Sequence, residues 1–191
     1  MSILASFSKE EIEEMIVENP SLRGYVQGYL AEVALKKQLQ ALEHVTEVTK
    51  IADKSPEKGD LKVTYKGVQL TIEVKSLLTR SIKADTMHDT WEGTVGIKNS
   101  DKREIIVEGM GTIQATNLVR GEFDILAISC YAVSGKWDCV FMENEYIPPK
   151  NYSTPSLLKV SFTVNPETTP CLELDLATIL ERVYAKKQSN C

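Results

Sequence analysis

Gly59-Asp60-Leu61-Lys62-Val63-Thr64-Tyr65-Lys66-Gly67-Val68-Gln69-Leu70-Thr71-Ile72-Glu73-Val74-Lys75 alternates polar and apolar residues on both sides of Lys66-Gly67. That is the period of a half-buried strand, interrupted by a turn. A two-residue turn there pairs Tyr65 with Val68, Val63 with Leu70 and Leu61 with Ile72, which makes one apolar face. The same register sets Thr64 opposite Gln69, Lys62 opposite Thr71 and Asp60 opposite Glu73. Like charges directly opposite on a sheet destabilise it, so such a pair calls for a cation between its members. Lys75 lies two residues beyond Glu73 and projects from the same face.

Two acids converging on a hard cation, with a lysine beside them, are the parts of a metal-dependent phosphodiester-cleaving site. Asp60 followed by Glu73-Val74-Lys75 at the end of the next strand resembles the PD-(D/E)xK nuclease superfamily, which includes many type II restriction endonucleases. One departure is Gly59, where the superfamily pattern has Pro. Acid-x-Lys occurs twice here, as Asp60-Leu61-Lys62 and Glu73-Val74-Lys75, and only the second ends a β-rich run at the right distance from an acid. The competing reading is a surface hairpin in which Asp60 caps a turn and Glu73 pairs with Lys75 or Lys62.

The resemblance implies an α/β fold of restriction-endonuclease-like core, a central mixed β-sheet flanked by α-helices. It also implies Mg²⁺, with Mn²⁺ able to substitute, held by Asp60, Glu73 and the Val74 backbone carbonyl. Lys75 would orient the attacking water or stabilise developing negative charge, and the products would be a 5′-phosphate and a 3′-hydroxyl. A glutamate from the preceding helix often joins such sites. Here that residue is Glu32, which would hold a second metal or a water, or else would simply pair with Lys36 one turn on.

Length and composition frame this reading. The 191 residues suit one domain, 1–191. A hydrophobic content of 42% and a charged content of 26% are ordinary for a globular protein. No apolar run approaches a membrane span, and no secretory signal is visible. Cys130, Cys139, Cys171 and Cys191 show no CxxC spacing, so reduced thiols in a cytoplasmic protein are expected. The net charge is −5, but Leu61 to Arg103 carries +3 and the remainder −8. A locally basic face on an acidic body can still bind phosphates.

Before the hairpin the chain reads as helical. Ser8 and Glu11 form a capping box, and Asn19-Pro20 stops the first helix. A second helix follows with Leu22, Tyr25, Val26, Tyr29, Leu30 and Val33 along an apolar stripe. Gly24, Gly28 and Ala31 suggest close approach to a sheet. His44 to Ile51 reads as the first strand.

Ser76 to Glu108 is the least regular stretch and would hang beside the cleft as a DNA-recognition excursion at about 76–108. Arg80, Lys83, Lys98, Asn99, Lys102 and Arg103 could reach phosphates or base edges there, and Gln114 could line the site from a strand. Trp91 reads as a core anchor before a base contact. Glu122 to Tyr131 suits a buried central strand, begun by Asp124 in a capping role. Ser134-Gly135-Lys136 turns into a partner strand over 137–142. A further strand over 157–164 and a closing helix over 174–187 complete the pattern, the helix with Leu176, Ile179, Leu180, Val183 and Tyr184 inward.

His44 and His88 have no zinc-ligand spacing, no Gly-x-Ser-x-Gly elbow occurs, and no nucleotide-binding motif is present. The expected function is a sequence-specific endonuclease of double-stranded DNA, acting as a C₂ homodimer on a palindrome. The alternatives are a structure-specific repair or recombination nuclease and a catalytically silent DNA-binding module of the same fold.

Overall fold

The computed structural model describes residues 6–52, 55, 57–85, 90–107 and 111–189. His88 and Cys191 lie outside them. The hairpin forms in the register set by its pattern. Strand β2 (Leu61–Tyr65) pairs antiparallel with β3 (Val68–Ser76), with Tyr65 opposite Val68, Val63 opposite Leu70 and Leu61 opposite Ile72. Lys66 and Gly67 both have positive φ, 47° and 79°, the backbone of a turn whose twist matches that of the strands it joins.

Around this hairpin a five-stranded mixed sheet assembles in the order β1-β2-β3-β8-β9, with β1 at Val45–Lys50, β8 at Ile125–Ser129 and β9 at Cys139–Glu143. Only β3 and β8 run parallel. The strand expected over 122–131 is the fully buried β8, paired with β9 as its partner. Asp124 serves as a clamp at its start. It accepts hydrogen bonds from the Thr71 N–H and from Lys187.

Helix α2 (Pro20–Gln40) and the closing helix α4 (Leu176–Ser189) pack on one face of the sheet. There Leu35, Leu39, Ile179 and Leu180 meet Val63, Leu70, Ile72, Ile125 and Phe141. The opposite face is covered by β structure instead. Val95, Phe162 and Val164 pack there on Leu126, Ile128, Val140 and Met142. The sheet is therefore flanked by helices on one side and by strands on the other.

The stretch expected to be irregular is itself β-rich. Strand β4 (Lys83–Asp85), β5 (Thr90–Gly96) and β10 (Ser161–Val164) form a three-stranded sheet. Strands β6 (Lys98–Val107) and β7 (Gly111–Asn117) form a two-stranded ribbon. The residues 157–160 expected in β10 lie outside it, and Trp91 packs on the β-covered core as anticipated. Ser134 ends a short helix, α3 (Tyr131–Ser134), which Gly135 closes with φ 68°.

Helix α2 overturns the expected stripe. It buries Ala31, Leu35 and Leu39, while Tyr25, Tyr29, Leu30 and Val33 are exposed. Positions i, i+4 and i+8 are buried on the sheet only in the C-terminal half of the helix, while its N-terminal half borders an open cleft. Gly24 and Gly28 accordingly approach no strand, and a Cβ at either would meet nothing within 4 Å. Helix α1 (Lys9–Glu18) starts with the expected Ser8–Glu11 capping box and buries none of its residues.

Two buried thiols give a testable consequence. Burial pushes the Cys130 thiol up to about 11 and the Cys139 thiol up to about 12, from an ordinary 9.0. Their neutral forms therefore favour the fold fully below pH 9, and that contribution is lost as pH rises through the folded values. At pH 8, iodoacetamide followed by peptide mapping should label the exposed Cys171 while Cys130 and Cys139 stay unmodified until the chain is unfolded. Equal labelling of the three would contradict this burial.

Candidate functional site

The hairpin ladder ends at Leu61–Ile72, one pair short of the acids. Asp60 leaves the ladder, so the expected direct opposition of Asp60 and Glu73 gives way to a different geometry. The Asp60 N–H donates to the Ile72 carbonyl at 2.8 Å, and the Asp60 carbonyl accepts from the Ile51 N–H at 2.9 Å. Its side chain then reaches over the end of β2, where Oδ2 accepts the Val74 N–H at 2.7 Å. Gly59 makes this departure possible. Its φ is +97°, and a Cβ there would stand 3.2 Å from the Ile72 carbonyl oxygen. Proline is locked near −65°, so the pattern's usual residue does not fit this backbone.

Glu73 and Lys75 are register neighbours of Leu126 and Ile128 on β8, so their side chains share the β-covered face. Glu73 is only 6% exposed. The Lys75 ammonium lies 2.5 Å from Glu73 Oε1. Burial raises the Glu73 carboxyl above its ordinary value; Lys75 opposes that rise and the Asp60 charge adds to it. Burial acts to lower the Lys75 ammonium, but Glu73, Asp60 and Glu32 together hold it above the ordinary lysine value. The two readings of the hairpin therefore meet. Asp60 is a cap and Glu73 does pair with Lys75, but on a buried floor and not on a solvated surface. Lys62 pairs with Glu57 at 2.6 Å.

This floor opens into a cleft of about 610 Å³. One wall is α2, through Gly24, Tyr25, Gly28, Tyr29 and Glu32, and the other is the start of β6, through Lys98, Asn99, Lys102 and Arg103. Glu32 pairs with Lys50 of β1 at 2.7 Å, not with Lys36. Lys50 in turn sits 4.3 Å from the centre of the Tyr29 ring. Opposite, β6 carries an irregularity between Lys98 and Arg103, which pair with Asn117 and Ala115. It leaves residues 99–102 out of the ladder, and Asn99, Asp101 and Lys102 of them line the cleft. Arg103 is committed inward, donating to the Asn117 carbonyl and to Glu122.

Three residues expected near the site are elsewhere. Arg80 is in a single 3-10 turn (Thr79–Ser81), and Lys83 on β4 pairs with Glu92 at 3.2 Å. Gln114 lies on β7 opposite Glu104 and does not line the cleft. Conversely, Tyr25 and Tyr29 of the expected apolar stripe are cleft residues, on the wall that also carries Glu32. The Gly24/Gly28 spacing beside them is the available signal, because small residues open a cleft as readily as they admit a strand.

The donor set can be weighed against a divalent metal. Asp60 and Glu73 put two carboxylates around a buried floor with one ammonium. The Val74 carbonyl joins them by strand geometry. Its N–H faces Asp60 beyond the end of β2, and the N–H and C=O of one strand residue point to the same edge. Among the described residues no group of three or more His, Cys, Asp or Glu forms a metal cage. Two carboxylates with a main-chain oxygen suit Mg²⁺, which keeps several waters and shares its remaining positions with substrate phosphate.

No protein-family model matches this chain, and no curated protein does. Among solved structures, one described as "a bacterial homing endonuclease: I-Ssp6803I" superposes with a TM-score of 0.47 at 14% identity, over 90% of this chain and 98% of that one. A superposition that loose carries no argument about this chain.

Proposed function

We propose that this chain is a metal-dependent endonuclease that hydrolyses phosphodiester bonds of double-stranded DNA, as a single domain over 1–191. The observation that supports the reading is the convergence of Asp60, buried Glu73 and Lys75 at the floor of an open cleft, with the Lys75 ammonium 2.5 Å from Glu73.

When bound, Mg²⁺ or Mn²⁺ held by Asp60, Glu73 and the Val74 carbonyl would offset phosphate charge and make a water more acidic. The chain's own residues do the rest. Asp60 is held in place by the Val74 N–H. Burial opposes the Lys75 ammonium, but Glu73, Asp60 and Glu32 hold it above the ordinary lysine value. Its assigned role is a positive charge toward the phosphorane-like transition state and a donor that orients water. Water oxygen forms the new bond to phosphorus as the bond to O3′ breaks, leaving a 5′-phosphate and a 3′-hydroxyl. Lys98 and Lys102 on the cleft wall supply phosphate contacts. Glu32 is assigned a positioning role through its pair with Lys50.

Within this reading we favour a sequence-specific enzyme acting as a C₂ homodimer. Incubation with plasmid and Mg²⁺ or Mn²⁺, followed by sequencing of the ends, tests it. Discrete bands that vanish with EDTA support a sequence-specific nuclease. Cutting confined to branched or flapped substrates favours a repair-type enzyme. No cutting, together with no Mn²⁺ binding by calorimetry, would leave a silent binding module.

A further inference from the structure

We infer that the outward face of the β6–β7 ribbon reads base edges in the major groove of the DNA held in the cleft, through Glu104, Ile106, Thr112 and Gln114. This inference rests on the nuclease reading.

Among the described residues the ribbon pairs with no further strand. Its register is regular from Arg103–Ala115 to Val107–Gly111. One face therefore belongs to Ile105, Val107 and Ile113, which pack around Leu157. The other presents two cross-strand pairs, Glu104 opposite Gln114 and Ile106 opposite Thr112. All four are exposed, and Ile106 is 82% exposed. An isoleucine so bare on a strand is unexplained by this chain's own packing.

The occupant follows from position and charge. Strand β6 begins in the cleft wall, so the ribbon is continuous with the site where a phosphodiester would lie. A two-stranded ribbon fits the major groove of B-form DNA. Alternate residues along a strand are about 6.6 Å apart, close to two base-pair rises. The face carries Glu104 and no cation. A surface that grips phosphates without regard to sequence needs Lys and Arg, and those lie on the cleft wall as Lys98 and Lys102. Glu104 instead penalises binding wherever no base donor meets it, which is how discrimination against wrong sequences is built.

The side chains match base edges. Gln114 Nε2 donates one hydrogen to Glu104 at 3.2 Å. That orients the amide and leaves its second hydrogen and its carbonyl for the paired acceptor and donor of adenine. Glu104 can accept from a cytosine amine, and Ile106 and the Thr112 methyl suit a thymine methyl.

The test is cut-site preference on a randomised duplex library with Mg²⁺, for the parent chain and for Gln114→Ala and Ile106→Ala. Both positions are exposed, and melting curves check that folding is unchanged. Each variant should lose about 10- to 100-fold of discrimination at one or two adjacent base positions, with preference elsewhere kept. Unchanged preference in both variants overturns the inference. So does a uniform loss of affinity for all sequences, or a parent that cuts without preference. A parent that cuts no duplex at all fails at the nuclease reading itself and takes the ribbon's role with it.

Discussion

Lys75→Ala should slow DNA cleavage about 10³-fold while duplex binding stays measurable. The ammonium touches the Glu73 carboxylate at the floor of the cleft. Removing one preorganised electrostatic group at a reacting centre costs about 10²- to 10³-fold, whereas duplex affinity comes mainly from phosphate contacts, which the proposed complex makes through Lys98 and Lys102. Stability should move in a way that identifies the cause. Without Lys75, buried Glu73 loses the charge that opposes its raised pKa. A carboxylate raised in the folded state penalises the fold above its unfolded value, and the penalty disappears as pH falls and both states take the proton. The variant should therefore melt below the parent at pH 7 and close to it at pH 4. Single-turnover cleavage, a binding isotherm and two melting curves decide it. Cleavage at the parent rate would remove Lys75 from the mechanism.

Replacing Asp60 separates its two roles. Asp60→Asn keeps an oxygen for the Val74 N–H but loses the charge a metal needs. Cleavage should fall about 10³-fold with Mn²⁺ binding weakened, and the melting temperature should stay within about 2 °C of the parent. Asp60→Ala loses cleavage in the same way and also leaves a strand N–H without its 2.7 Å acceptor. An unpaired buried donor costs about 1–3 kcal/mol, or roughly 2–4 °C for each kcal/mol in a chain of this size. Equal melting of the two variants would mean that the Asp60–Val74 bond does not hold the end of the hairpin. A fully active Asp60→Asn would take the metal away from this residue.

Several elements were legible because a short-range rule fixed them. The Lys66-Gly67 turn accepts positive φ at both positions, and the period of two then leaves one register for the hairpin. The run Ile125–Ile128 is apolar without a break, so it had to be buried on both faces. Ile179, Leu180 and Val183 form one helical stripe with no rival. Helix α2 had two apolar stripes, and periodicity cannot choose between Leu22-Val26-Val33 and Ala31-Leu35-Leu39. The docking of its C-terminal half on the sheet, with the N-terminal half left beside the cleft, made the choice. Gln114 is a strand residue, as its setting predicts, but its place outside the cleft depends on the register of β6 with β7. Glu32 was weighed between the site and Lys36, and the docking of α2 on β1 brought Lys50 to it instead.

By itself, then, the sequence determined that β2 and β3 pair, in which register, and that Asp60, Glu73 and Lys75 belong to that one hairpin unit. Those are consequences of alternation and turn chemistry acting over a few residues. Only the tertiary structure decided that Glu73 is buried, that Asp60 steps out of the ladder to cap Val74, and that α2 and β6 wall a cleft above them. The environment of a charge is set by groups distant along the chain, here Leu126 and Ile128 on the neighbouring strand and α2 and β6 as walls, and no local pattern encodes where those will stand.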